Sequence, residues 1–400
     1  MRNTIFGICC MMLGLCSSCG PENQSIAKKT QLDVNRIVDL AAQRYSKTLA
    51  TLTDTLNIPR NARTDGTWNQ TPSWDWTSGF FSGTLWQIYA LTGDKKWAKS
   101  AQKWSNAIAS EVTSTNDHDL GFQFYCSFGN ELRLFNMRTP GVKEILRTAS
   151  NSLTSRYNPK SGVIRSWDWG TEKGVEPTII DNMMNLELLM WAFGETRDST
   201  YYYVTLSHAD TTLKNHFRKD FSTYHVVDYD SISGKVIGKR TVQGHSKNSM
   251  WARGQAWAIY GYAMMYRETG IPSYLEQAKR AADVFLGNLP QDGIPFWDFN
   301  APDIPNSPKD ASAGAITASA LLELASFEEQ PKKSMYFGES LKILKTLSAD
   351  KYLIPASESL GLVHHSTGHF TAGSEVDDHI IYADYYYLEA LNRYQKLNDE

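Results

Sequence analysis

The stretch "ARGQAWAIYGYAMMYRETG", residues 252–270, runs directly into "IPSYLEQAKRAADVFLGNL", residues 271–289. In both halves apolar residues recur at spacings of three and four, the period of a helix with a buried face. The first half is crowded with small residues and aromatic rings. The second is more amphipathic and more charged. Together they predict a helical hairpin with a turn near Gly270, its first helix packed inside and its second meeting solvent.

The same unit returns four times. "GFFSGTLWQIYALTG" (79–93) precedes "DKKWAKSAQKWSNAIASEV" (94–112), and "GFQFYCSFGNELRLFNMRTP" (121–140) precedes "VKEILRTASNSLTSRY" (142–157). "DNMMNLELLMWAFGETRDS" (181–199) precedes "YYYVTLSHADTTLKNHF" (201–217), and "ASAGAITASALLELASFEEQ" (311–330) precedes "KSMYFGESLKILKTLSAD" (333–350). Five hairpins give ten helices. A helix from about Leu32 to Leu56 precedes them, and "YADYYYLEALNRYQKL" (382–397) closes the chain. The turns near Gly93, Thr139, Thr196, Gly270 and Gln330 fall at irregular intervals, unlike a solenoid of short repeats. The expected class is all-α, a six-hairpin (α/α)6 barrel or toroid spanning 31–400 as one domain. A solenoid of helix pairs is the rival, and the closing C-terminal helix favours the ring.

The N-terminus, "MRNTIFGICCMMLGLCSSCGPENQS", has one Arg, an apolar run from about Ile5 to Leu15, and then small residues. It reads as a signal peptide over 1–19, too short for a stable membrane span, followed by a polar tether over 20–30. Ser17-Ser18-Cys19 resembles the cleavage box of bacterial lipoproteins, with Cys19 as the lipidated first residue. Ordinary signal cleavage near the same place is the alternative. Either implies export, to the periplasm or outer membrane of a Gram-negative bacterium. Of five cysteines only Cys126 lies outside this leader, so the mature body has no internal disulfide.

A net charge of −3 gives no electrostatic reason to expect nucleic acid as a partner. Aromatic residues make up 12% of the chain, enough for a large helical core and also for a sugar-stacking pocket. The longest non-helical stretches, 57–77, 157–180, 219–251, 290–309 and 351–381, would gather at one face of a ring. Loops on a rigid scaffold are where function usually sits. "YHVVDYDSISGKVIGKRTVQG" (224–244) alternates like a β-hairpin that turns at Ser233-Gly234.

Chemistry-bearing residues stand at the start of each inner helix: Asp75 and Trp76, His118 and Asp119, Asp181, Trp251 and Arg253 with Trp257, and Asp310. An Asp before a helix is a preferred N-cap, and for Asp75 and Asp310 that reading suffices. Asp181 lies between Ile180 and an apolar helix, and Asp119 precedes an aromatic one. Buried carboxylates are costly unless paired or protonated, and two that face each other split into an acid and a base. His364, His365, His369 and His379 lack the helical spacing of a zinc-protease box, so no metal is expected. No phosphate loop, nucleophile elbow or dinucleotide fingerprint appears, so no cofactor is expected either. Cys126 reads as packing.

The segments "WTSGFFSGTLW", "HDLGFQF", "SWD", "IIDNMMNLELLMWA", "VQGHSKNSMWARGQAWAIYGY" and "YADYYYLEAL" together resemble the unsaturated glucuronyl hydrolases, glycoside hydrolase family 88. The resemblance covers nearly the whole mature chain and implies the same six-hairpin barrel. It implies a substrate left by a polysaccharide lyase, an oligosaccharide ending in a 4,5-unsaturated uronic acid, glycosaminoglycan disaccharides among them. The family hydrates the double bond instead of attacking the anomeric carbon. By match, Asp181 is the proton donor and the base for water, and Asp119 is the second essential carboxylate. His118, His225, Gln243, Arg253 and Trp257 carry over as substrate contacts, with Thr241 and Ser374 as weaker ones. Trp76, Trp167 and Trp251 carry over as pocket walls. Arg253 would offer a fork of donors to an acidic sugar. The segment "HHSTGHFTAGSEVDD" (364–378) departs from the Ser- and Lys-containing pattern that some members use for sulfated sugars. Three other readings stand beside this one: an unsaturated rhamnogalacturonyl hydrolase, an inverting two-carboxylate glycosidase, and a non-catalytic lipid-anchored glycan-binding protein.

Overall fold

A computed structural model describes residues 32–135, 139–355 and 359–399. The signal, the tether and Cys19 lie outside the described residues. Contacts divide the chain into Met1–Asp33 and Val34–Glu400. The second unit holds twelve helices among its described residues.

Six of them alternate as outer elements: α1 (Val34–Thr51), α3 (Lys95–Asn106), α5 (Val142–Thr154), α7 (Ser199–Asn215), α9 (Pro272–Gly287) and α11 (Lys332–Leu347). Six are inner: α2 (Ser78–Thr92), α4 (121–134), α6 (Leu186–Thr196), α8 (Ala252–Thr269), α10 (Ala311–Phe327) and α12 (Ile381–Asp399). The quoted hairpin is α8 and α9. Gly270, at φ 69°, ends α8 in the left-handed conformation that glycine adopts at little cost. All but the last turn of α8 is buried, as an inner helix must be.

The inner helices close on themselves. Each packs on the next in chain order, and α12 packs against both α10 and α2. This is the six-hairpin barrel, and it excludes an open solenoid. Close approach needs small residues at the contacts: a Cβ on Gly79 of α2 would run into the backbone of Gln123 in α4. The outer helix α1 is tied to the ring by the Tyr45 hydroxyl, which donates to Asp384 Oδ2 at 2.7 Å.

Several details differ from the sequence reading. The first helix ends at Thr51, five residues early. α4 opens as a π-helix over Gly121–Gly129 before an α-helical end over Asn130–Leu134. A 3-10 segment, Ile180–Asn185, precedes α6, so Asp181 stands ahead of the α-helix itself. The connecting stretches also hold more strand than expected. β1 (Asn57–Ala62) pairs with β2 (Trp68–Pro72), β3 (Tyr157–Asn158) with β4 (Val163–Ile164), and β8 (Ser366–His369) with β9 (Ser374–Asp378), all antiparallel. The expected hairpin is present as β6 (Val226–Asp230) and β7 (Val236–Arg240), with Gly234 at φ 71° in the turn. β5 (Val175–Ile179) joins it as a third strand and leads straight into Asp181.

Candidate active site

The inner helices deliver their first residues to one place. A cavity of about 710 Å³, counting its open mouth, is lined by Trp76 just before α2, Asp119 and Phe122 at α4, Asp181 before α6, Arg253 on α8 and Tyr382 on α12. The β8–β9 hairpin adds Gly368, His369, Ser374 and Glu375, β1 adds Arg60, and Trp167, Ile179 and Gln243 complete the wall.

Asp119 and Asp181 are each only 9% exposed. Burial raises the Asp181 carboxyl to about 7, against the opposing pull of the Arg253 charge and the nearby indole of Trp257. Burial also pushes Asp119 well above the carboxylate range, and repulsion from Asp117 and Asp181 adds to it. Charge on Asp181 thus opposes charge on Asp119, and burial holds both acids back from ionisation. Asp181 is no helix cap. The 3-10 segment has no side-chain cap, and Asp181 Oδ1 has no hydrogen-bond partner. Asp310 does cap α10, accepting from the Ser312 and Ala313 amides. Asp75 accepts from the Thr77 amide at 2.9 Å and pairs with Arg60 at 2.7 Å.

Two histidines stand behind the acids. His118 Nε2 lies 3.4 Å from Asp119 Oδ1, and His225 Nε2 lies 3.8 Å from Asp181 Oδ1. Burial holds both neutral, His118 at about 3 and His225 well below its usual range. His225 Nδ1 accepts the amides of Val242 and Gln243 at 3.3 and 3.2 Å. Its proton must then sit on Nε2, toward Asp181.

The other residues expected in the site divide into wall and backing. Trp76, Trp167, Gln243, Arg253 and Ser374 line the cavity. His118, His225, Trp251 and Trp257 form the layer behind it, with Trp251 against the His225 ring at 4.6 Å. Thr241 belongs to neither, because its hydroxyl donates to the Ser249 carbonyl at 3.1 Å. Arg253 departs most from expectation. Nη1 donates to Asp310 Oδ2 at 2.7 Å and to the Thr367 carbonyl, while Nη2 donates to Gln243 Oε1 at 3.0 Å and to the Gly368 carbonyl. Its four terminal N–H groups are thus committed to protein. It offers the cavity a fixed positive charge and holds Gln243 and the β8–β9 hairpin in place.

The sequence reading missed Arg60, Phe122, Tyr382, His369 and Glu375. Phe122 and Tyr382 lie inside quoted motifs and carried a signal. Arg60 and Glu375 carried none: they meet as a two-pronged pair, at 2.6 and 3.0 Å, across 315 residues of sequence. Cys126 is buried with its thiol pushed up, so it packs and does not react. His379 is a structural tie, with Nε2 2.9 Å from Asp384 Oδ2 and Nδ1 accepting the Ala62 amide. Among the described residues no group of three or more His, Cys, Asp or Glu could hold a metal ion.

Known proteins share this architecture and this sequence. The profile described as Glycosyl Hydrolase Family 88 matches residues 51–323, more than half of the chain. The chain belongs to glycoside hydrolase family 88. It is 41% identical over 374 residues to an unsaturated glucuronyl hydrolase of Formosa agariphila, covering 92% of both chains. It is 31% identical over 372 residues, again 92% of both chains, to an unsaturated chondroitin disaccharide hydrolase of Streptococcus pyogenes. A crystal structure described as an unsaturated glucuronyl hydrolase specific for heparin superposes with a TM-score of 0.86 at 41% identity, over 91% of this chain and 97% of that one. The family-88 chain is therefore a glycosidase on an α/α barrel, and its two buried acids sit at the mouth of the ring.

Proposed function

We propose that the protein releases 4,5-unsaturated uronic acid from the non-reducing end of lyase-generated oligosaccharides, with glycosaminoglycan disaccharides as its substrates. The observation that carries this reading is Asp181: a cavity-lining carboxyl at about 7 whose Oδ1 accepts no protein hydrogen bond, with the His225 Nε2 3.8 Å away. Protonating C4 of an enol ether near neutral pH needs a carboxylic acid that still holds its proton. Asp181 gives that proton to C4. Water adds at C5 and returns a proton to Asp181. C5 then carries both the ring oxygen and a new hydroxyl; this hemiketal opens, and the hemiacetal left at C1 releases the neighbouring sugar. Asp119 orients substrate, and charge on it opposes the ionisation of Asp181. Trp76 and Trp167 offer flat faces to the sugars. The positive ends of the inner helices and the Arg253 charge favour an anionic sugar in the cavity.

The test is turnover of unsaturated disaccharides from chondroitin, hyaluronan, heparin and pectin, followed by loss of the ultraviolet absorbance of the double bond. Loss with the glycosaminoglycan products supports the reading. Loss with pectin fragments alone would move the substrate to rhamnogalacturonan. No loss with any of them would overturn hydration as the mechanism. Export with Cys19 as a lipidated first residue is also part of the proposal. Metabolic labelling with a fatty acid should mark the wild-type chain and not Cys19→Ala.

A further inference from the structure

Asn185 closes the 3-10 segment that carries Asp181, and it is fully buried against the start of α4, two residues after Asp119. Its Oδ1 accepts the Phe122 amide at 3.0 Å. That contact fixes the orientation of the side-chain amide, because only the oxygen can accept. Nδ2 then faces His118 Nδ1 at 3.4 Å and can only donate to it. A ring nitrogen that accepts carries no proton. The proton of neutral His118 therefore sits on Nε2, 3.4 Å from Asp119 Oδ1, with the Asn182 side chain a further acceptor beside the ring. The fit around this amide is tight, since a Cβ on Gly121 would run into the Asn185 backbone.

We infer that Asn185 is a positioning residue: it holds His118 as an Nε2–H donor beside Asp119, which favours the carboxylate on Asp119 and leaves the transferable proton on Asp181. The charged groups around the pair are few. Asp119 is faced by Asp117, Asp181 and Asp75, all of which oppose its ionisation, and by Asn185, which favours it. Asp181 is faced by the fixed charge of Arg253, by the Trp257 indole and by the His225 Nε2–H at 3.8 Å, all of which favour its ionisation. Each acid is thus faced by one histidine Nε2–H, and the His118 nitrogen, at 3.4 Å from Asp119, stands closer than the His225 nitrogen, at 3.8 Å from Asp181. The functional half of this inference rests on Asp181 as the proton donor; the tautomer of His118 does not.

The experiment combines side-chain 15N NMR of the histidine rings with steady-state kinetics on an unsaturated chondroitin disaccharide. Wild-type His118 should report a neutral ring protonated at Nε2. Asn185→Asp keeps the shape and the contact to the Phe122 amide, but places a carboxylate oxygen against His118 Nδ1. The ring proton should move to Nδ1 or the ring should become charged, and kcat should fall roughly 10- to 100-fold with KM little changed. An Nδ1–H ring in the wild type overturns the assignment. A moved proton with unchanged kcat overturns the functional half. If Asn185→Asp fails to fold, Asn185→Ser, which is too short to reach His118, takes its place with the same kinetic expectation. If wild-type protein turns over no unsaturated disaccharide, the proposed function falls and the functional half with it, while the wild-type NMR result still decides the tautomer.

Discussion

Asp181 stands where backbone dipoles favour its charge, yet burial holds its carboxyl up at about 7. Two outcomes follow at this residue. The acid must be protonated to act, so kcat should be flat below neutrality and fall as pH rises through about 7, which a pH–rate profile on saturating substrate would show. The same group makes the wild type less stable as pH rises. In the unfolded chain an Asp ionises near its ordinary value of about 4, whereas the folded site holds the proton until about 7. The stability that the protonated form contributes is thus complete below about pH 4 and is lost as pH climbs through 7, by up to about 4 kcal/mol. Asp181→Asn, neutral at every pH, should abolish turnover while melting higher than wild type at pH 8 and level with it at about pH 4. An active Asp181→Asn variant would show that the acid has been misassigned.

At the scale of elements, Asp119 and Asp181 are brought together by the contact between the start of α4 and the 3-10 segment before α6. Gly121 lies in that contact, and a side chain there would meet the Asn185 backbone. Gly121→Ala must push the two elements apart. The expected cost is about 1–3 kcal/mol, seen as a lowered Tm, with a loss of kcat because the two acids separate. Full activity in a Gly121→Ala variant would mean that the acids need not be held so closely. This contact also marks how far the sequence could be read. The hairpins were legible because small, aromatic-rich helices alternate with charged ones, a pattern set by inner and outer packing. Asp181 and Asp119 were legible as acids flanked by apolar residues. The arrangement of Arg253 was not, because its partners Asp310, Gln243 and Gly368 lie 57, 10 and 115 residues away. Nor was β1, whose alternation is broken by Pro59 and by a register shift between Pro59 and Asn61, so Arg60 gave no sign that it would reach the cavity.

Across the whole ring, the two ends of the inner helices have opposite tasks. The N-terminal ends carry the acids and the sugar-facing rings. Toward the other end runs a chain of ion pairs: Arg133 in the last turn of α4 to Glu187 in the first turn of α6, Glu187 to Arg267 of α8, Arg267 to Glu323 of α10, and Glu323 to Arg393 of α12. Arginines near helix C-termini complement the dipoles there, and the chain ties five of the six inner helices together. Glu323 is its best-buried carboxylate, held below its usual range by Arg393 and Arg267 against the cost of burial. Removing one partner of a buried pair costs more than the pair contributes, because the charge left behind is uncompensated. Glu323→Ala leaves two arginines short of a partner, though Arg267 keeps Glu187 and Arg393 keeps the Tyr260 hydroxyl at 3.0 Å. The expected loss is about 3 kcal/mol, a Tm lowered by several degrees, with kcat and KM unchanged at a temperature where the variant is folded. If kcat fell together with Tm, the ion-pair end of the ring would be coupled to the site, and the division of tasks between the two ends would be wrong.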